Sequence, residues 1–199
     1  MSKKTVILIS REYGSGGRGI GEKLAKELNI PFYDKEVIRL ACQESGFDVS
    51  LFENTEEQTK SPLSYLLSMY YATVSPSELS LNDQVFLIQS KVIRDLAKES
   101  CVIIGRCADY ILKDHDDVLR IFVHADLEDR IERVIDEYGD EDDNIKSKIT
   151  RIDKNRATYY NYYSNRRWGD LANYDLSLNT SKVDVDTCVA LIKNIVENK

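Results

Sequence analysis

The sequence predicts a three-layer α/β/α fold, a parallel five-stranded sheet covered by helices on both faces. Two observations carry this. Short apolar runs of strand length alternate with stretches of helical periodicity along the whole chain. The first run, Val6-Ile7-Leu8-Ile9, passes directly into a glycine-crowded loop that opens a helix.

The elements follow in order. Thr5–Ser10 reads as the first strand, and Gly17–Leu28 as a helix with Ile20, Leu24, Ala25 and Leu28 on one face and Asn29 as its stop. Ile30–Asp34 is a second short strand, and a helix begins at Lys35. Residues 45–62 read as a polar loop, Leu63–Val74 as a helix, Pro76 as its breaker and Ser77–Glu99 as a longer helix. Cys101–Gly105 and Leu119–Val123 are buried strands. Asp126 reads as an N-cap with Asp129 as its capping partner, ahead of a helix through Ile131, Val134 and Ile135. The stretch DEYGDEDD, residues 136–143, is a solvated acidic turn. A helix follows over 144–165, then a strand over Tyr174–Leu178. A last amphipathic helix over Asp184–Val196 should turn Cys188, Leu191, Ile192 and Ile195 inward.

The chain has 199 residues, the size of a single domain over 1–199. Its net charge of −7 argues against broad binding to nucleic acid or to an anionic membrane. No run nears the roughly eighteen consecutive apolar residues of a membrane span. The apolar run after MSKK is too short for a signal peptide, so a cytoplasmic protein is expected. Four cysteines without a CxxC pair, and only two histidines, read as reduced thiols rather than a zinc site.

The segment SREYGSGG draws attention because a loop that wraps phosphate must point several N–H groups inward, which glycine permits. Gly14, Gly16, Gly17 and Gly19 supply that freedom, Ser15 a hydroxyl, and the next helix a positive dipole end. A tight strand–helix turn, or a dinucleotide loop of the GxGxxG kind, competes with phosphate binding here. The acidic residue that a dinucleotide loop calls for is poorly placed.

SREYGSGGRGIGEKLAKELNIPFYDKEVI resembles the start of the cytidylate kinase-like family of P-loop proteins. Leu28–Asp34 falls where ordinary cytidylate kinases carry an LG-FPYLD stretch, and Val102–Arg106 resembles the family's strand ending in Gly-Arg. Leu119–Val123 with Glu128–Arg133 is similar to the strand and helix that lead into the lid. Asp153 and Arg156 match an Asp-x-x-Arg pair used near the acceptor, and Tyr174–Leu178 matches the last strand. The resemblance covers nearly the whole chain, least over 45–100. It implies a P-loop NTPase fold with a helical lid over 140–170 and an acceptor-binding helical region over 35–100. It also departs from the pattern. Aligned on GxxxxGK[ST], the first glycine is Arg11, the lysine is Gly17 and the metal-binding hydroxyl is Arg18; the acidic residue after Gly-Arg is Cys107, with Asp109 two residues on.

Arginine can neutralise and position phosphates through its permanently charged fork. Arg18, and with it Arg11, is expected to stand in for the lysine over the Gly14–Gly19 loop. Arg106, at a strand end, should face the crevice. By the resemblance, Arg39, Arg106, Asp153 and Arg156 hold the acceptor. In RATYYNYYSNRRWGD, Arg166 and Arg167 could reach the transferring group from the lid, while the tyrosines stack on a base, fill the lid or make a homo-oligomer contact. The resemblance implies ATP and Mg²⁺ as cofactors, with no metal ligands assigned, and phosphorylation of CMP or a related small nucleotide. The rivals are a weak or inactive nucleotide-binding interaction protein, favoured by the missing lysine, and a kinase of another small metabolite, favoured by the unusual 45–100 region.

Overall fold

The computed structural model describes residues 4–46 and 80–198. The expected helix over Leu63–Val74, and the loop and helix start around it from 47 to 79, lie outside the described residues. β1 (Val6–Arg11), β2 (Phe32–Tyr33), β3 (Cys101–Ile104), β4 (Val118–His124) and β5 (Leu176–Asn179) form one sheet in the order β2-β3-β1-β4-β5. Every neighbouring pair is parallel. All five predicted strands are present, with ends shifted by at most two residues.

Period-two alternation splits the sheet's side chains between two cores. Val6 and Leu8 of β1 join Ile103 and Val118 beneath α2 (Glu36–Ser45), α3 (Leu81–Leu96) and α4 (Ala108–Ile111). Ile7 and Ile9 join Val102, Ile104, Ile121 and Val123 beneath α1 (Gly17–Leu28) and α7 (Val185–Glu197). β1 is central in the sheet and helices cover both its faces, so its run is apolar throughout. A third cluster, Val134, Ile145 and Ile149, joins α5 (Leu127–Asp136) to α6 (Ile145–Ser164).

The helix ends follow local chemistry. α1 spans the predicted residues and stops at Asn29, whose φ of 52° is the left-handed cap that asparagine tolerates. Asp126 is the N-cap of α5, but contrary to expectation its side chain makes no capping bond. It lies instead 3.6 Å from Lys182. Leu191 and Ile195, expected inward, are 46% and 37% exposed. Cys188, Val189 and Ile192 meet α1 instead, and at 100° per residue that turns Leu191 off the contact stripe, while Ile195 lies at its margin near the end of the helix. All four cysteines are buried thiols outside any disulfide. Among the described residues no helix is long and apolar enough to cross a membrane.

Candidate active site

The pairing Ile9↔Ile104 sets the loop after β1 beside the turn after β3 at the carboxyl edge of the sheet. Gly105 N–H donates to the Ile9 carbonyl at 3.0 Å, tying the two together. Open parallel sheets bind ligands at this edge.

The β1–α1 loop needs its glycines for definite reasons. Gly14 sits at φ 79°, and a Cβ there would lie 2.8 Å from the Arg130 carbonyl oxygen. Gly17 opens α1 in an ordinary conformation, yet a Cβ on it would lie 2.7 Å from Arg11 Cβ and 3.1 Å from Val123 Cβ. The Arg11 side chain therefore fills the space that a side chain at position 17 would need. It extends on to Gly105, where a Cβ would collide with Arg11 Nη1. Arg11 Nη2 stands 4.0 Å from Asp34 at the end of β2, and its side chain is 13% exposed. The position that would carry a lysine is thus occupied by an arginine from the preceding strand.

After β3 the chain passes through three left-handed residues, Gly105, Arg106 and Cys107, at φ 67°, 62° and 53°. For the two non-glycines this costs on the order of 1–2 kcal/mol each, strain of the kind that collects at functional sites. It delivers Arg106, 6% exposed, to a cleft lined also by Ser10, Arg11, Arg156, Tyr159, Tyr160 and Trp168. The cavity holds about 20 Å³, room for a water but not for a nucleotide. Below it Tyr160 donates to Asp109 Oδ2 at 2.6 Å, both side chains being buried. Burial pushes the Asp109 carboxyl up from its usual range, against the opposing effect of that hydrogen bond. Burial first, and Asp109 next, push the Tyr160 phenol up as well.

The other predicted site residues are distributed unevenly. Arg156 lines the cleft, donates to the Arg11 carbonyl at 3.1 Å and stands over the Tyr13 ring. Arg18 lies on the exposed outer side of α1, donating to Asp34 Oδ2 at 2.9 Å and to Glu22 at 2.9 Å. The Asp34 hydrogen bond leads the effects that raise its pKa. Arg39 is exposed and pairs with Glu36 on its own helix. Asp153 accepts from the Tyr13 N–H at 2.8 Å and from Arg130 Nη1 at 2.6 Å, so both its oxygens face the loop. Arg166 stands over the Tyr110 ring and Arg167 is exposed; neither lines the cleft. Gly19 is exposed on α1. Arg130 and Arg133, which also grip the loop, are not among the predicted residues. Their only signal in the sequence is an i, i+3 spacing that puts both on one face of α5.

The model of the cytidylate kinase-like family matches residues 6–182. The cytidylate kinase of Pyrococcus horikoshii is 28% identical over 98% of this chain and 90% of its own length. That of Methanopyrus kandleri is 24% identical over 98% and 95%. An uncharacterized protein from Eubacterium ventriosum, 29% identical, superimposes with a TM-score of 0.72 over 98% of this chain and 100% of that one. Shikimate kinase from Acinetobacter baumannii, 13% identical, shares the fold alone, with a TM-score of 0.52 over 100% and 96%. Matched from its first strand to beyond its last, the chain belongs to the cytidylate kinase-like family, as a member with glycine where the Walker lysine would stand.

Proposed function

We propose that this protein transfers the terminal phosphoryl group of ATP to a small phosphate-bearing acceptor, with CMP or a related nucleoside monophosphate as the leading candidate. The observation that carries this is the convergence of Arg11, Arg106 and Arg156 on one cleft beside a glycine loop at a helix N-terminus. Phosphoryl transfer asks for positioning and charge neutralisation more than for covalent chemistry, and this set supplies both.

The loop and the first turn of α1 fit the phosphates of a nucleotide, since Gly14 and Gly16 adopt left-handed conformations and α1 opens with unpaired N–H groups. Among the described residues no group of three or more His, Cys, Asp or Glu is placed to hold a metal. Mg²⁺ carried on the nucleotide's own phosphates needs no such group. Bound MgATP would supply the transferable group. Arg11 takes the lysine's part, Arg106 and Arg156 hold the acceptor phosphate, and Tyr159, Tyr160 and Trp168 offer aromatic surface for a base. Arg18 contributes through Asp34, which it shares with Arg11. Arg166 and Arg167 reach the reacting group only if the end of α6 moves.

The test is ADP release from MgATP with CMP, dCMP, UMP, AMP or GMP as acceptor. Turnover with CMP that falls about a hundredfold in kcat/KM on Arg11→Ala supports the proposal. Turnover only with a sugar or alcohol would assign a different metabolite. MgATP binding without turnover on any acceptor would favour the interaction-protein alternative, for which the missing lysine speaks.

A further inference from the structure

The β1–α1 loop is held from outside at one carbonyl after another. Arg156 Nη1 donates to the Arg11 carbonyl at 3.1 Å and Arg130 Nη1 to the Tyr13 carbonyl at 3.2 Å. Arg133 Nη1 donates to the Gly14 carbonyl at 2.8 Å, and Thr180 Oγ1 to the Ser15 carbonyl at 2.8 Å. The Glu12 carbonyl is taken within the loop by Ser15 Oγ at 2.8 Å. In a planar trans peptide the carbonyl and the following N–H point in opposite directions. Holding the Tyr13 and Ser15 carbonyls outward therefore turns the N–H groups of Gly14 and Gly16 the other way. Neither amide has an acceptor among the described residues.

The grip is tightest at Tyr13. Asp153 Oδ1 accepts from its N–H at 2.8 Å while Arg130 holds its carbonyl, and Arg130 and Asp153 meet at 2.6 Å. Their side chains are only 10% and 16% exposed, so water competes little for these bonds. Arg133 closes the row, its Nε 3.6 Å from where a Cβ on Gly16 would be. A loop with glycine at 14, 16 and 17 would otherwise be loose, and a ligand would bear the entropy of ordering it.

We infer that Arg130, Arg133 and Asp153 are positioning residues that shape the phosphate loop from outside. Asp153 thereby serves the nucleotide loop, whereas the family resemblance places it at the acceptor. The identity of the anion, a nucleoside triphosphate tail, rests on the phosphotransferase proposal above; the loop's shape does not.

The experiment compares Arg133→Ala, Arg133→Lys and Asp153→Asn with the unaltered full-length chain. Affinities for MgATP and for CMP are measured separately by calorimetry, and amide exchange over residues 11–18 by mass spectrometry. Arg133→Ala and Asp153→Asn should weaken MgATP about tenfold or more, the scale of one lost charge-assisted hydrogen bond. Exchange in the loop should quicken, and CMP affinity should stay within about twofold because the acceptor cleft keeps its lining. Arg133→Lys, which keeps a cationic donor, should recover most of the loss. Should Asp153→Asn unfold the chain, the Arg133 pair of variants decides, since that side chain lies at the edge of the clamp. Unchanged loop exchange in the folded variants overturns the inference. So does an Asp153→Asn that weakens CMP and spares MgATP, which would return Asp153 to the acceptor site. If the unaltered chain binds no MgATP while loop exchange still quickens in the variants, the phosphotransferase proposal fails and the positioning role stands.

Discussion

Arg11 and Gly17 share a single volume, and that constrains both. Gly17→Lys, which restores the missing Walker residue, should destabilise the chain by about 1–3 kcal/mol through overpacking against Arg11 and Val123. The double variant Arg11→Gly with Gly17→Lys should regain most of that, as read by urea denaturation; equal loss in both would show that Arg11 is not the obstacle. The sequence pointed first to Arg18, because the glycine loop around it has the chemistry of a phosphate cradle. Helical geometry separates the two positions, since successive residues point 100° apart: position 17 faces Arg11 while Arg18 faces solvent. Asp109 carries the second prediction. Its carboxyl titrates above its unfolded value because burial disfavours the charge. Ionising it in the folded state is therefore unfavourable, and stability falls as pH rises from about 4, the unfolded value, toward neutral. Asp109→Asn should narrow that fall and be the more stable form at pH 7, with the difference shrinking in acid; parallel pH–stability curves would contradict this.

At the scale of elements, α7 shows how far periodicity reaches. Its extent was legible, but which stripe faces α1 was not, because Leu191 and Ile195 are as apolar as Ile192. Ile192→Ala should cost about 2–5 kcal/mol, whereas Leu191→Ala should cost little. Asp184 caps α7, accepting from the Thr187 N–H at 2.9 Å and the Thr187 hydroxyl at 2.7 Å. The Thr187 hydroxyl leads the causes that hold its pKa below the usual carboxylate value. That stabilisation is complete above about pH 4 and disappears as pH falls through the folded value. Asp184→Asn should accordingly lower Tm at pH 7 and converge with the unaltered chain in strong acid. The α5–α6 pair lay further from the reach of the sequence: beyond their i, i+3 spacing nothing singles out Arg130 and Arg133, and only the fold brings β1's loop against them.

For the molecule as a whole, the narrowness of the cleft decides what can bind. Trp168, the single tryptophan, meets Phe122 edge-on at 5.4 Å between ring centres and lines a cleft of about 20 Å³. A nucleotide cannot enter without moving it or its tyrosine neighbours. Binding of CMP should therefore change Trp168 emission. Constant emission during a binding event measured by calorimetry would place the acceptor elsewhere.

The alternation of elements, the five strands, the glycine loop and the strand ending in Gly105-Arg106 were all written locally, in periodicity and turn chemistry, and so could be read from the order of residues. That Arg11 fills the space beside Gly17 depends on Asp34 and Gly105, and the turning of Asp153 toward the loop and the grip of Arg130 and Arg133 on it depend on neighbours more than a hundred residues apart in the chain. Side-chain direction is set by packing across elements, and one chain's pattern does not encode which long-range partner each guanidinium will find.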